Sequence, residues 1–428
     1  MRRILTIAAL IFAGEMVFGP AFHIPRFFLP TMLDVFNLTN TQLGDITAIY
    51  GITATLSFFP GGALADRFSA RALISLALIA TAAGGLYLAT IPGPTQLAWL
   101  YGYFGVTTIF FLWGALIRAT REWGGESSQG VAFGTLEAGR GLAAAVVASI
   151  GVMFLAFFMP EDANLASDAE RRAGLQSVIY LYSGIALAAG LFAWFVVPKS
   201  DIDVTVKRNL LSGMLDAMKR PLVWVQTIIV ITAYCLFKGT DFYSLYAQQA
   251  FGYDEVAAAS LASKGAYIRV IAALAAGFLA DRFGTTRSIT VAFALSAAAY
   301  FAHTILTPDK VAASIIIANA AVVLFAVIAL RGIYFALLEE TRTPMHITGA
   351  AVGLVSVIGF TPDIFIRPIA GRILDATPGV GGHLNLFMLL AAIALAGTVA
   401  AGCLLWVQRN KLRGGPVSSD TSTADAGS

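Results

Sequence analysis

Long apolar stretches recur along almost all of the 428 residues of this chain. A helix that spans a lipid bilayer needs ~20 mostly apolar residues, and the chain accommodates about twelve such stretches with short connectors. Because 58% of the residues are hydrophobic and only 12% are charged, too few polar side chains remain to cover a water-soluble fold. The stretches lack the ten-residue alternation of membrane-barrel strands. We therefore predict an all-α integral membrane protein.

The predicted spanning helices form two sets of six. The first set covers residues 4 to 33, 42 to 64, 72 to 92, 96 to 118, 131 to 158 and 174 to 197, and the second covers 223 to 247, 255 to 280, 288 to 306, 311 to 338, 346 to 372 and 384 to 408. This divides the chain into an N-terminal half at 1–197, a linker with an interfacial helix at 198–222, a C-terminal half at 223–408 and a disordered tail at 409–428.

One short motif occurs at the same place in each set. GGALADRFSAR begins at Gly61 and GFLADRFGTTR begins at Gly277, each in the turn after the second helix of its set. Their aspartates, Asp66 and Asp281, are 215 residues apart, which is close to half of the chain. The repeat predicts two similar halves in tandem.

The basic residues of the connectors predict the orientation. Connectors on the side of the N-terminus hold 17 Lys and Arg residues, whereas the opposite connectors hold only Arg171, Arg172 and Lys310. Cytoplasmic loops carry the excess of Lys and Arg. We expect a multi-pass protein of the cytoplasmic membrane with both termini in the cytoplasm.

Two halves of six helices, with a G-x-L-A-D-R turn after the second helix of each, resemble the major facilitator superfamily of secondary transporters. The resemblance covers nearly the whole chain. It implies a gating role for the residues of the two turns, which are Gly62, Asp66, Arg67, Gly277, Asp281 and Arg282. A helix cap or a turn residue is the alternative role for the two aspartates.

Ionisable residues at bilayer depth are the candidates for function, because an unpaired charge there costs ~2.5 to 3.5 kcal/mol on insertion scales. The predicted helices contain seven cations and four acids, a surplus of three positive charges that predicts an anion-binding cavity. The cations are Arg26, Arg140, Lys238, Lys264, Arg269, Arg331 and Arg367, and the acids are Glu15, Glu137, Asp241 and Asp363.

Spacing along single helices offers partners for some of these charges. Three pairs lie three or four residues apart on one helix face and can neutralise each other: Glu137 with Arg140, Lys238 with Asp241, and Asp363 with Arg367. Arg26 has no acid within one turn. Glu15 lies eleven residues earlier, about 16 Å along the helix axis, too far for direct contact.

Arg26 and Lys238 occupy almost matching places in the repeat. Arg26 lies 40 residues before Asp66, and Lys238 lies 43 residues before Asp281. In the fold that the resemblance implies, the first and seventh helices face each other. The two cations then converge near the midplane and clamp an anion. Snorkelling toward the interface is the alternative for either residue.

Further residues complete the predicted site. Tyr243 and Tyr246 lie within two turns of Lys238 and are expected to line the substrate path, with packing as their alternative role. Arg269 and Arg331 add positive charge. The candidates for proton coupling are Glu137, Asp241 and Asp363.

Around its two central cations the chain also resembles the organophosphate:phosphate antiporter branch. AFHIPRFFLPTM contains Arg26 and AYCLFKGTDFYSLY contains Lys238, where that branch usually has a second Arg. Lys is a point donor and not a planar fork, so a sulfonate or a carboxylate fits as well as a phosphate.

We therefore predict a secondary transporter that moves a small organic anion by alternating access, as a symporter with protons or an antiporter with phosphate or another anion. Two alternatives remain open: a proton-coupled drug exporter of the same fold, and a transporter-like receptor that senses an organophosphate. No enzyme motif, metal site, cofactor or nucleic-acid partner is expected, and we expect a monomer. The sequence leaves the substrate, the coupling ion and the direction of transport open.

Overall fold

The structure, a computed structural model, describes residues 2–125, 128–199, 216, 218–337 and 353–413. This part of the chain is almost entirely helical and contains no β-strand. Eleven of its helices are long and apolar enough to cross a membrane, and a bent pair provides a twelfth span. The spans are α1 (Arg2–Met16 with Gly19–Phe27), α2 (Asn40–Arg67), α3 (Ala70–Leu88), α4 (Pro94–Gly124), α5 (Val131–Phe158), α6 (Asp168–Val196), α7 (Pro221–Phe251), α8 (Glu255–Phe283), α9 (Thr285–Ile305), α10 (Ala313–Ala336), α11 (Gly353–Ala376) and α12 (Val380–Asn410).

Twelve spans in an all-helical fold confirm the predicted fold class. Span α5 has the predicted bounds, whereas α11 ends at Ala376, four residues after the predicted end at 372. The last helix continues to Arg413, past the predicted boundary at 408. Most of the predicted linker, and the tail after residue 413, lie outside the described residues.

Two helices that face each other between the halves are interrupted. Pro20 and Pro25 of α1, and Pro30 in the short helix Leu29–Phe36 that follows it, lie at intervals of five residues. The chain forms a π-helical turn at Gly19–His23, and α1 bends by 42°. Proline lacks the N–H group that a regular helix requires and clashes with the preceding turn. In α7 the helix narrows to a 3₁₀ turn at Thr240–Phe242. Both interruptions lie beside the charged side chains of the membrane interior.

We call the membrane face at the start of α1 the terminal face, where Arg3 hydrogen-bonds the backbone of Trp123 near the end of α4. The opposite face, which carries the start of α2 and the end of α11, is the far face. There Asp375 accepts hydrogen bonds from the backbone N–H groups of Asn40 and Thr41 at 3.2 and 2.7 Å. A carboxylate is favourable at a helix N-terminus, so this contact stabilises the junction between the halves.

The same junction is closely packed along its length. A side chain at Gly44 of α2 would place its Cβ only 2.6 Å from the carbonyl oxygen of Arg367 in α11. A second ion pair at the far face joins Arg171 of α6 to Glu255 of α8 at 2.7 Å. The far face is therefore closed in this conformation.

Candidate functional site

A cavity of about 80 Å³ lies between the two halves. It is lined by α1, α2, α4 and α5 of the first half and by α7, α8, α10 and α11 of the second. Cations that the sequence singles out reach it from both halves: Arg26 and Arg140 from the first, and Lys238, Arg269 and Arg331 from the second. A cavity of this volume holds several water molecules or a small polar group.

Asp241 in the interrupted turn of α7 joins the halves. Its Oδ1 accepts a bond from Nε of Arg26 at 2.5 Å, and its Oδ2 accepts one from Nη2 of Arg367 at 2.8 Å. The aspartate is completely buried. Two guanidinium groups thus compensate one buried carboxylate, which leaves the trio with a net positive charge.

Lys238 forms the second charged contact of the cavity. Its Nζ lies 2.6 Å from Oδ1 of Asp363, and the hydroxyl of Tyr234 donates to Oδ2 of the same carboxylate at 3.0 Å. The ammonium also lies 3.8 Å from the ring centroid of Phe22 in α1. Cation–π contact of this kind stabilises a desolvated ammonium, so Lys238 is held at the boundary between the halves.

Glu15 anchors a third cluster toward the terminal face. Its carboxylate contacts Arg269 of α8 at 2.8 Å, Arg140 of α5 at 3.0 Å and His23 at 3.3 Å. Arg140 also forms an ion pair with Glu137. Glu15 therefore links α1 to the opposite half through Arg269.

Arg331 differs from the other cations of the cavity. Among the residues that the structure describes, no carboxylate oxygen lies within 4.0 Å of its guanidinium. Its guanidinium carbon lies 4.1 Å from the ring centroid of Phe237, and Arg26 lies 4.7 Å from the same ring. Phe237 thus holds two arginines at one wall.

The charges of the site do not balance. The six cations Arg26, Arg140, Lys238, Arg269, Arg331 and Arg367 meet the four acids Glu15, Glu137, Asp241 and Asp363, and six minus four leaves a surplus of two. The sequence predicts a surplus of three because it counts Lys264, but that side chain is exposed and does not line this cavity.

Two of the three ion pairs expected from local spacing are not formed. Lys238 pairs with Asp363, and Asp241 pairs with Arg26 and Arg367, so the partners come from other helices. Only the pair of Glu137 with Arg140 forms as predicted. Lys238 and Asp241 both face α1 and α11, and each is paired with a charge that those helices supply.

The two tyrosines proposed for the substrate path lie beside the core of the C-terminal half, and Tyr243 also lines a larger cavity next to the central one. Tyr243 hydrogen-bonds Nε2 of His303 at 3.2 Å, and Tyr246 packs edge-on against His383 and Phe387. Neither tyrosine lines the central cavity. Both lie beyond the interruption of α7, where the side chains face the core of the C-terminal half.

The residues of the repeated turns lie at the terminal face. Asp66, Arg67, Asp281 and Arg282 are exposed, and a Cβ at Gly62 or Gly277 would meet no atom within 4 Å. In this conformation the turns make no ion pair across the halves among the described residues. Their gating role stays a prediction.

Sequence reasoning missed the long-range partners and the aromatic walls of the site. Glu15 and Arg367 are buried charges in the sequence prediction, but Arg269 and Asp241, which they contact, lie more than a hundred residues away in the chain. The prolines of α1 were a usable signal for the bend that brings Arg26 to α7. No signal identified Phe22 or Phe237 as contacts of the cations.

Comparison with known proteins agrees with this architecture. The model of the Major Facilitator Superfamily matches residues 4–360. Inner membrane protein YqcE of Escherichia coli is 28% identical over 407 residues, which cover 92% of this chain and 93% of that protein. The probable nitrate/nitrite antiporter NarK1 of Thermus thermophilus is 27% identical over 256 residues, covering 59% of this chain and 56% of that protein.

A solved structure shows the same fold. The bacterial homologue of the human lysosomal transporter Spinster, in an inward-facing and unoccupied conformation, superposes with a TM-score of 0.72 at 15% sequence identity. The match covers 96% of this chain and 98% of that one. With the family match over most of the sequence, this chain belongs to the major facilitator superfamily, whose members are membrane transporters and not enzymes.

Proposed function

We propose that this chain is a secondary transporter for a small organic anion with a phosphate, sulfonate or carboxylate group. It acts in the cytoplasmic membrane with both termini on the cytoplasmic side. The proposal depends above all on Arg331, which faces the central cavity without a carboxylate partner among the described residues. A cation at this depth is costly unless something compensates it.

An anion supplies that compensation. Arg331 and Arg26 both contact the ring of Phe237, at 4.1 and 4.7 Å from its centroid, so two like charges lie in this part of the cavity. An anionic group in the cavity reduces the excess positive charge and accepts charge-assisted hydrogen bonds from these planar donors. A lipophilic cation, by contrast, would enter a cavity that already carries excess positive charge. The surplus therefore favours the anion transporter over the drug exporter.

Lys238 connects the binding of an anion to the movement of the two halves. It is held by Asp363 and Tyr234 from its own half and lies over Phe22 from the other half. An anion that attracts Lys238 weakens its pair with Asp363. Asp363 is our candidate for proton coupling, ahead of Asp241 and Glu137, because it is the carboxylate that contacts Lys238. Exchange for inorganic phosphate is the other coupling that this site accommodates.

One relative supports the choice of an anion. NarK1 is named a probable nitrate/nitrite antiporter, and nitrate and nitrite are small anions; the match spans 59% of this chain. Nitrate itself carries no organic part. The likeness therefore supports the charge of the substrate and not its identity.

A thermal-stability screen of the purified protein tests the proposal. The ligands are inorganic phosphate, glucose 6-phosphate, methanesulfonate, glucuronate and the lipophilic cation tetraphenylphosphonium. A ligand at 100 times its dissociation constant adds ~2.7 kcal/mol of stability. We expect one class of anion to stabilise the protein. Stabilisation by tetraphenylphosphonium alone would contradict the proposal.

Variants of the cavity locate the binding site. Arg331→Gln and Arg26→Gln are expected to weaken binding of the stabilising anion at least tenfold, because each removes a charge-assisted hydrogen bond worth roughly 1.5–3 kcal/mol. Lys310→Gln removes an exposed cation from the connector between α9 and α10 and serves as the matched control. Equal affinity in all three variants would disprove the assignment of the site.

A further inference from the structure

A second cavity adjoins the charged site. It has a volume of about 330 Å³ and lies among α1, α5, α7, α8 and α10. Its wall is mostly apolar and includes Leu261, Ile317, Ala321, Leu324 and Ile328. We call it the α8–α10 cleft. Its volume is about four times that of the charged cavity.

The cleft and the charged cavity share a wall. Arg26, Phe237 and Arg269 line both of them. A molecule whose charged group contacts these arginines therefore has an apolar space directly beside it. The charged cavity is the smaller of the two spaces.

Lys264 makes the cleft unusual among apolar cavities. It lines the cleft nine residues after Glu255, the first residue of α8, which places it about 14 Å along the helix from the far face. No carboxylate oxygen lies within 4.0 Å of its ammonium among the residues that the structure describes. The Lys264 side chain is partly exposed, and it adds one positive charge at the wall of the cleft.

We propose that the α8–α10 cleft is the apolar subsite of the transport site and that the transported anion is amphipathic. Its charged group contacts Arg26 and Arg269 at the shared wall, and its hydrocarbon body fills the cleft. Lys264 adds a positive charge at the cleft wall that favours an anionic amphiphile over a cationic one. This inference rests on the proposed anion transport, which it deepens by naming the substrate class.

A homologous series of alkyl phosphates, from ethyl to decyl phosphate, tests the subsite. Binding is measured by calorimetry with the protein in lipid nanodiscs. Burial of one methylene contributes ~0.8 kcal/mol, so affinity is expected to rise about fourfold for each added methylene until the cleft is full. Ala321→Phe, which fills the cleft, is expected to end this rise at shorter chains.

Matched variants distinguish binding in the cleft from partition of the alkyl chain into the lipid. Val322→Phe adds the same ring at the next residue of α10, which is 39% exposed and does not line the cleft, and is expected to keep the wild-type series. Leu324→Ala enlarges the cleft, so the affinity is expected to keep rising to longer alkyl chains. This variant tests the subsite even if Ala321→Phe does not fold. Lys264→Gln is expected to weaken decyl phosphate at least about threefold, whereas Lys310→Gln leaves it unchanged.

The outcomes distinguish this inference from the proposed function. If ethyl phosphate binds and affinity does not depend on chain length, the subsite is wrong and anion binding stands. If affinity rises equally in the wild type and in all three cleft variants, Ala321→Phe, Leu324→Ala and Lys264→Gln, the chains bind elsewhere and the subsite is wrong. If no member of the series binds while a carboxylate does, the phosphate form of the substrate class is overturned.

Discussion

Single buried charges set the chemistry of this protein, and Asp241 is the clearest case. It has no exposed surface and accepts hydrogen bonds from Arg26 and Arg367, which belong to different halves. Removing one member of a buried ion cluster leaves uncompensated charge in a medium of low dielectric constant. Asp241 is therefore important for stability as well as for the contact between the halves.

Asp241→Asn is expected to destabilise the protein by ~3–5 kcal/mol, because two buried guanidinium groups lose their carboxylate. The free energy of unfolding in mixed detergent micelles measures the effect. Asp216→Asn is the control, since Asp216 is 59% exposed and pairs with Lys219 at 3.0 Å. An exposed pair contributes ~0–1 kcal/mol. Equal losses in both variants would show that the buried cluster is not stabilising.

Residue spacing predicted which side chains are buried but not which ones meet. The rule that residues three or four apart on a helix are neighbours identifies Glu137 with Arg140. It fails for Asp241, because its partner Arg26 lies on another helix and 215 residues away in the chain. A pairing between helices depends on their packing, which a single sequence does not contain.

At the scale of elements, α2 and α11 control whether the far face is closed. Gly44 and Gly371 bring the two backbones together, since a Cβ at Gly371 would lie 2.4 Å from the carbonyl oxygen of Asn40. Asp375 and the pair of Arg372 with Asp45 at 2.8 Å reinforce the contact. Gly62 at the other end of α2 has open space around it. One helix therefore packs tightly at the far face and loosely at the terminal face.

Gly44→Ala is expected to open the far face, because the added methyl group meets the backbone of α11. Overpacking of this kind costs ~1–3 kcal/mol, enough to change the ratio of closed to open forms by about fivefold or more. Spin labels at Asp162→Cys and Asp309→Cys, in a Cys235→Ser/Cys403→Ser background, report the separation of the halves at the far face by pulsed electron resonance. We expect an additional population at longer distance.

Gly62→Ala is the matched control for this experiment. It adds the same methyl group to the same helix where no atom lies within 4 Å. In the middle of a helix, alanine is otherwise favoured over glycine by ~0.5–1 kcal/mol. The account of the junction fails if Gly44→Ala leaves the distance distribution as narrow as that of Gly62→Ala.

The sequence predicts the bounds of some helices correctly but not the interruptions within them. The bounds of α5 match because polar residues precede its long apolar run and Pro160 and Glu161 follow it. The interruption of α7 was not predicted, because Gly239 and Thr240 are common in membrane helices and carry no strong signal. The prediction assumed a continuous α7 and paired Lys238 with Asp241, whereas each of them pairs with a residue of another helix.

For the whole molecule, the closed far face and the exposed turns of the terminal face describe one state of an alternating-access cycle. The charged contacts between the halves, Arg26 with Asp241 and Glu15 with Arg269, lie near the level about which the halves would rock. We propose that the repeated turns with Asp66 and Asp281 pack across the halves in the opposite state. The central claim is that this motion carries an anion held by Arg331 and Arg26.

Flux through proteoliposomes tests that claim most directly. The radiolabelled anion that stabilises the purified protein is offered outside liposomes that contain wild-type protein, Arg331→Gln or the control Lys310→Gln. We predict uptake in the wild type and in Lys310→Gln, and a loss of at least tenfold in Arg331→Gln. Binding without uptake in the wild type would instead indicate a receptor, and full uptake in Arg331→Gln would contradict the account of the site.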